Sequence, residues 1–168
     1  GTGFVGRAVC RRLAAGGHSV HVLTRRPESA GREIPEIAQA FGWDGRSGMP
    51  PLEAFKGVGA VVNLLGHSIG GRASAGRRRA IRESRLQGTA HLVDALERLP
   101  APPPVLISAS AVGYYGDRGD VLLDETSEPG PGRIARLCLD WEAEAARAQT
   151  CGVSVTRLRM GDGRDHRD

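Results

Sequence analysis

Apolar positions recur along the chain with two different periods, and each period predicts a kind of element. Residues 4–15 place apolar side chains on one helical face with arginines opposite, which predicts a helix that the glycine pair at 16–17 ends. Residues 18–24 then alternate with a period of two and are rich in β-forming residues, which predicts a strand. Proline and glycine interrupt residues 26–50, so this stretch predicts mostly loop.

Two further stretches, residues 60–65 and 105–107, are apolar throughout and have the length of strands buried on both faces. The remaining pattern predicts helices at residues 52–56, 74–99 and 134–149, and strands at residues 41–43 and 153–158. Strands buried on both faces need helices on both sides of a parallel sheet. The predicted fold class is therefore α/β, a doubly wound parallel sheet that binds ligands at the carboxyl ends of its strands.

The chain opens with a glycine-rich turn immediately before the first predicted helix. Gly3 and Gly6 have the spacing of the last two glycines of G-x-G-x-x-G, and Gly1 fits a longer version of that motif. Glycine there allows a left-handed backbone, lets the main chain approach a pyrophosphate, and lets the helix pack closely on a strand. The pyrophosphate then lies at the helix N-terminus, whose free N–H groups favour anions. The predicted cofactor contacts are Gly1, Thr2, Gly3, Phe4, Val5 and Gly6, and a glycine turn before an ordinary helix is the alternative.

The position that distinguishes NAD from NADP is basic in this chain. In NAD enzymes an acidic residue about 20 residues after the glycine turn binds the ribose 2′-hydroxyl, but Thr24 and Arg25 occupy that position here. A guanidinium cannot accept a hydrogen bond from a hydroxyl, whereas it pairs well with a 2′-phosphate. The sequence therefore predicts NADP as the preferred cofactor, with a solvated charge at a strand end as the alternative.

Composition narrows the class of ligand. The formal net charge is +4, and 22 of the 23 basic residues are arginine, which is compatible with nucleic-acid binding. However, only 4% of the residues are aromatic, and the aromatic side chains that would stack on bases between the arginines are missing. No segment approaches the length of a membrane span, and three scattered cysteines suit neither a disulfide framework nor a zinc site. We expect a small-molecule substrate and no nucleic acid, membrane or metal.

Five motifs occur in an order that resembles a known family. They are the glycine turn, the strand end at residues 62–66, the segments at 81–89 and 106–117, and the Asp-Trp-Glu triplet at 140–142. Together they are similar to the NAD(P)-binding, epimerase-like proteins of the atypical and extended short-chain dehydrogenase/reductases. The resemblance runs from Gly1 to about Arg159, and SASAVGYYGD at residues 108–117 is its highly specific part.

The resemblance implies a Rossmann-type NADP-binding domain over residues 1–159. Relatives continue with a smaller substrate domain, whereas residues 160–168 are a polar, atypical tail. The resemblance also implies that Ser110 polarises a substrate carbonyl or hydroxyl, and that Arg85 stands where the superfamily has an asparagine. The cofactor contacts that it adds are Leu64, Leu65, Gly66, Arg85 and Ser108.

The chain departs from the superfamily at the catalytic Tyr-x-x-x-Lys pair. That pair places an acid/base tyrosine and a lysine on one helix face. In this sequence the matching helix carries Ile134 and Cys138 at those places, or Leu137 and Trp141 in the alternative register. Ordinary acid/base chemistry of hydride transfer is therefore in doubt, and Trp141 and Glu142 are expected to dock their helix onto the sheet.

Three residues remain as catalytic candidates, namely Ser110, Tyr114 and Cys138. A phenol beside NADP⁺ can act as the acid, and either Tyr114 or Tyr115 could supply it; packing on the nicotinamide and on the core is the alternative. Cys138 is a nucleophile in one interpretation and a small buried residue in the other. His67 is the histidine nearest to the expected site.

Two functions follow from these patterns. The first is an NADP-dependent, epimerase-like oxidoreductase that acts on a nucleotide-sugar or a small carbonyl compound. The second is a catalytically silent NADP-binding protein that senses redox state or binds a partner. No targeting segment is visible, so a cytoplasmic location is expected. In this topology the first strand is central and would precede Gly1, so we expect residues 1–168 without it to be unstable or aggregated.

Overall fold

The structure is a computed structural model that describes residues 1–66 and 74–161. Its helices are α1 (Phe4–Ala15), α2 (Pro27–Glu33), α3 (Ala75–Arg98) and α4 (Arg133–Ala146). Its strands are β1 (His21–Thr24), β2 (Gln39–Gly42), β3 (Ala60–Asn63), β4 (Val105–Ala111) and β5 (Ser154–Met160). Short 3₁₀ helices cover Leu52–Phe55, Val112–Tyr114 and Arg147–Cys151.

The described strands are all parallel and form two separate sheets. β1 pairs with β2, while β3, β4 and β5 form a second sheet in that order. Asn63 lies opposite Ser108, and Ser110 lies opposite Arg159. Because parallel strands end at the same edge, the residues that follow β3, β4 and β5 meet at one side of the second sheet. The predicted α/β class with a parallel sheet is confirmed.

The main apolar core lies between α3 and the three-stranded sheet. Leu92, Val93 and Leu96 of α3 pack with Leu106 of β4 and with Phe55. The buried residues of α3 begin at Gly88, and the residues of its first half are exposed or partly exposed, so this half contributes little to the core. Within the described residues, no helix combines the length and the apolar character needed to cross a membrane.

A second apolar cluster joins α1 to the two-stranded sheet. Cys10 of α1 packs with Val20, Val22 and Ile34. On the other face of this sheet, Leu23 and Phe41 pack against the main core. The two-stranded sheet therefore lies between α1 and the rest of the molecule, as expected of a layered α/β fold.

Several predicted boundaries are wrong, and the causes are local. The loop predicted at residues 26–50 contains α2, because Pro27 fits the first turn of a helix as well as it fits a loop. The predicted strand at residues 41–43 begins earlier, at Gln39. β4 continues to Ala111, since its two serines are buried and hydrogen-bonded rather than solvated.

A cleft of about 790 Å³ separates the free edge of β1 from the free edge of β3. Its lining includes Gly1, Val22, Val61 and Val62. Val62 is 36% exposed, so the expectation that residues 60–65 are buried on both faces is wrong for the described chain. The face of β3 turned away from α3 lacks a covering element among the described residues. The cleft lies where the predicted central strand would pair with both sheets.

Candidate functional site

The glycine turn folds back on itself before α1. Gly6 is buried, and a Cβ there would overlap the carbonyl oxygen of Gly1. A Cβ on Gly1 would approach Cγ1 of Val22 to 2.6 Å, so the close contact with β1 is made by Gly1 rather than by Gly6. Gly3 has φ −74°, and neither it nor Gly6 has the left-handed backbone that we predict for this turn.

The same turn leaves the N-terminus of α1 open to an anion. Gly3 is the N-cap and supplies no side-chain cap, and the first turn of α1 contains no acidic residue. Phe4 is 78% exposed, and Val5 is also exposed. Unpaired N–H groups and the helix dipole favour a phosphate at such an end, so the geometry agrees with the predicted cofactor role of this turn.

Thr24 and Arg25 lie at the carboxyl end of β1, close to the glycine turn. The N-terminal nitrogen of Gly1 donates to the carbonyl oxygen of Leu23 at 3.3 Å. Thr24 is buried, and its hydroxyl accepts from the backbone N–H of Arg26 at 3.3 Å. Arg25 is exposed. Thr24 thus stabilises the end of the strand, while the side chain of Arg25 is accessible to a ligand.

A buried polar cluster fixes the loop that follows β3. The amide nitrogen of Asn63 donates to the hydroxyls of Thr89 at 3.0 Å and Ser108 at 3.1 Å. The indole N–H of Trp141 donates to the same Thr89 hydroxyl at 3.0 Å. Oδ1 of Asn63 accepts from the backbone N–H of Leu65 at 3.1 Å. Ser108 therefore supports Asn63 and, through it, the loop after β3. Leu64, Leu65 and Gly66 lie at the edge of the sheet where the cofactor is expected.

Arg85 lies directly against that loop. A Cβ on Gly66 would be 3.3 Å from the guanidinium carbon of Arg85, so the glycine permits the close approach. The guanidinium lies over the Trp141 ring at 5.1 Å, and its Nη1 donates to the carbonyl of Ile81 at 3.3 Å. Burial lowers the pKa of Arg85 from its ordinary value. The structure thus places Arg85 beside the predicted cofactor loop.

Ser110 takes part in a buried ion-pair network. Its hydroxyl, 2% exposed, donates to Oε1 of Glu142 at 2.6 Å. Arg159 donates from Nε to Oε1 of Glu142 at 2.9 Å and from Nη2 to Oε2 at 3.0 Å. Such a two-point arginine–carboxylate contact fixes both side chains. Glu142 therefore docks α4 onto β4 and β5, as expected.

The two tyrosines after β4 are packed against this network. Nη1 of Arg159 donates to the Tyr115 hydroxyl at 2.9 Å, and the guanidinium covers the ring of Tyr114 at 3.4 Å. Cys138 is buried with both rings, and burial, followed by the nearby Glu142 charge, raises the pKa of its thiol. A buried thiol with a raised pKa is a poor nucleophile, so the structure favours the interpretation of Cys138 as a small buried residue.

Ser110 and Tyr114 thus lie at and just after the carboxyl end of β4, and Arg85 lies against the loop that follows β3. The two positions of the missing catalytic pair differ from each other. Ile134 is 69% exposed, whereas Cys138 is buried. Neither side chain is an acid at neutral pH. His67 lies outside the described residues, and no cluster of metal-ligating side chains occurs among those that the structure describes.

Sequence reasoning missed two residues of this site. Arg159 lies one residue beyond the strand predicted at residues 153–158, and Asn63 lies in the apolar run at residues 60–65 and in the motif at 62–66; neither side chain is given a role by the sequence. A charged or amide side chain inside an otherwise apolar strand was the available signal, because such groups are buried only with hydrogen-bond partners.

The Glu142 network gives an expected pH dependence. Burial alone disfavours the carboxylate, but hydrogen bonds from Arg159 and Ser110 outweigh it and lower the pKa of Glu142 from the model-compound value of 4.5. The stabilisation is then complete above that value and is lost as the pH falls through the lower, folded pKa. We expect Glu142→Gln to cost roughly 3 kcal/mol at pH 7, and less at pH 3.

Urea unfolding of a stable form of the protein that contains residues 1–168 measures this dependence. Glu144→Gln is the control, because Glu144 lies on the same helix and, among the residues that the structure describes, pairs with Arg147 alone. A cost of the Glu142 substitution that is independent of pH would contradict the assignment.

Comparison with known proteins gives matches along most of the chain. Residues 1–162 match the family model described as the NAD dependent epimerase/dehydratase family. The Arabidopsis thaliana chloroplastic homolog of epimerase family protein SDR39U1 is 36% identical over 169 residues, covering 95% of this chain and 46% of that protein. The chain spans about half the length of the curated relatives it matches.

Two solved structures are also similar. Human epimerase family protein SDR39U1 (isoform 2) with NADPH has a TM-score of 0.76 and 28% identity, covering 98% of this chain and 54% of that one. The nucleoside-diphosphate sugar epimerase from Corynebacterium glutamicum has a TM-score of 0.60 and 27% identity, covering 92% and 37%. Both similarities agree with the parallel α/β fold described above.

Proposed function

Because the chain belongs to the NAD dependent epimerase/dehydratase family, we propose that it binds NADP(H) in preference to NAD(H) and acts as an epimerase-like oxidoreductase. The observation that carries the cofactor preference is the exposed Arg25 at the carboxyl end of β1, beside the glycine turn. We assign the cofactor-binding function to residues 1–159.

The cofactor would lie across the carboxyl ends of the strands. Its pyrophosphate would contact the N-terminus of α1, which has no capping side chain and no acidic residue in its first turn. Its 2′-phosphate would pair with Arg25, since a guanidinium binds phosphate with two parallel hydrogen bonds. The NADPH held by the human relative supports this choice.

Arg25→Asp tests the cofactor preference. The carboxylate would repel a 2′-phosphate and accept from a 2′-hydroxyl, so we expect the ratio of NADPH to NADH affinity to fall roughly 10- to 100-fold. Fluorescence titration of both cofactors measures this ratio. Arg32→Asp in α2 is the control, because it makes the same charge change at another exposed arginine. An unchanged preference for NADPH in Arg25→Asp would remove the proposed role.

The substrate would be a small molecule that carries a carbonyl or hydroxyl group, such as a nucleotide-sugar. The similar nucleoside-diphosphate sugar epimerase of Corynebacterium glutamicum supports that class. Ser110 and Tyr114 would lie at the reacting end, because both are at the carboxyl end of β4. A screen of nucleotide-sugars and small aldehydes and ketones tests the class, with NADPH absorbance as the measure of net reduction and product analysis as the measure of epimerisation, which leaves the cofactor unchanged.

A silent cofactor-binding protein is the second candidate function. In the preferred register Ile134 and Cys138 stand where the resemblance places the acid/base tyrosine and the lysine, and they offer no acid at neutral pH, which favours this candidate. Such a protein would bind NADPH with the same dependence on Arg25. It would, however, neither oxidise NADPH nor convert any compound of the screen.

A further inference from the structure

We propose that Arg159 is a positioning residue that presents the hydroxyl of Tyr114 to the ligand while it ties Tyr115 to the fold. The proposal rests on the proposed function, because the ligand in question is the one bound at the carboxyl end of β4. Arg159 in this role distinguishes Tyr114 from the adjacent Tyr115. It also explains how Tyr114 is held in a chain that lacks the lysine of the Tyr-x-x-x-Lys pair.

Arg159 contacts both tyrosines, but in different ways. Its guanidinium carbon lies 3.4 Å from the centroid of the Tyr114 ring, which places a positive charge flat against the ring face. Its Nη1 donates to the hydroxyl of Tyr115 at 2.9 Å and to the backbone carbonyl of Glu125 at 3.3 Å. One guanidinium therefore fixes the ring of Tyr114 and the hydroxyl of Tyr115.

The two hydroxyls consequently differ in their availability. Both rings are 9% exposed, and they meet edge to face at 5.2 Å. The Tyr115 hydroxyl is already bonded to Arg159. The Tyr114 hydroxyl makes no hydrogen bond to the described residues, and it is not among their buried polar atoms that lack a partner. It therefore keeps some contact with solvent, although Tyr114 as a whole is buried and Arg159 covers its ring.

Arg159 itself is held by Glu142 and, through it, by Ser110. The Glu142 carboxylate accepts from both Nε and Nη2 of Arg159, so the plane of the guanidinium cannot rotate freely. Ser110 adds a third hydrogen bond to the same carboxylate. Only arginine suits this position. Its planar guanidinium can donate two hydrogen bonds to the carboxylate and stack on a ring at the same time, whereas the ammonium group of a lysine is a point charge.

Fluorine NMR separates this role from a merely structural one. 3-Fluorotyrosine is incorporated at position 114 in one sample and at position 115 in another, in a soluble form of the protein that contains residues 1–168. The test variant is Arg159→Lys. The control is Arg157→Lys, because Arg157 lies on the same strand, half-exposed and 4.0 Å from Glu142. NADPH is the added ligand, and its affinity is measured in parallel.

In the wild type and the control, we expect NADPH to shift the signal from position 114 and to leave that from position 115 nearly unchanged. In Arg159→Lys, the signal from position 114 should move before any ligand is added, and its response to NADPH should fall to roughly half or less. The affinity for NADPH should stay within about twofold of the wild type.

Three outcomes would overturn the proposal. One is an Arg159→Lys protein whose signals match those of the control. Another is a response to NADPH at position 115 in place of position 114. The third is a shift of both fluorine signals in Arg159→Lys together with a loss of NADPH affinity, because this combination indicates that the substitution loosens the fold as a whole. If the wild type binds no NADPH, the proposed function fails, and the signals without ligand still decide the role of Arg159.

Discussion

Joining a short apolar strand in front of Gly1 is expected to convert residues 1–168 from an unstable or aggregated chain into a soluble protein with a cooperative thermal transition. The cleft between β1 and β3 has strand edges on both sides, and Gly1 lies in its lining. A strand of about five residues that ends at Gly1 would pair with both edges. Each buried Val or Ile of this strand would contribute about 1.5–3 kcal/mol.

Size-exclusion chromatography and scanning calorimetry measure this effect. The control is an extension of equal length in which the residues facing the cleft walls are Asp and Ser, because it adds chain without apolar surface. Its expected behaviour is that of the unextended chain. A cooperative melt of unextended residues 1–168 would contradict the prediction, and so would equal rescue by the polar extension.

Substitutions in the glycine turn are expected to separate fold from ligand binding. Gly6→Ala puts a Cβ into the carbonyl oxygen of Gly1, so the turn must open and NADPH affinity should fall roughly 100-fold. Gly3→Ala meets nothing within 4 Å and has an ordinary φ of −74°. It should therefore leave the melting temperature unchanged, and it should weaken NADPH binding if the pyrophosphate passes over this residue.

Calorimetry and cofactor titration on the same samples measure both effects. Gly59→Ala is the control, since a Cβ there meets nothing within 4 Å and the residue lies before β3, away from the turn. If Gly6→Ala binds NADPH as the wild type does, the turn is not a cofactor element. If Gly3→Ala binds equally well, the backbone at Gly3 does not approach the pyrophosphate.

The elements with strong periodicity could be predicted, and those with weak local signals could not. α1 begins and ends at Phe4 and Ala15 as the pattern predicts, and Ser74 caps α3 through the backbone N–H of Arg77. α2 escaped prediction because it is short and opens with a proline. The resemblance to epimerase-like short-chain dehydrogenase/reductases is confirmed by the family match.

The sequence predicts where the candidate site lies better than it predicts which side chains contact each other there. Ser110 and Tyr114 lie at and just after the carboxyl end of β4, and Arg85 reaches the loop after β3 from the middle of α3. Their partners were not visible, because the pairing of Ser110 with Glu142 joins residues 32 positions apart and depends on how α4 docks. The catalytic and cofactor roles of these residues stay predictions until the variants are measured.

The separation of the two sheets has a consequence for protein engineering. The residue proposed to choose the cofactor, Arg25, lies at the end of the two-stranded sheet, whereas Ser110 and Tyr114 lie at the end of the three-stranded sheet. No backbone ladder joins the two sheets in the described residues. An exchange of residues 1–42 for those of an NAD-dependent relative would therefore cut no described strand pairing between the sheets, but it must keep the packing of Leu23 and Phe41 on the main core. Such a chimera is expected to change its coenzyme while the residues after β4 stay the same.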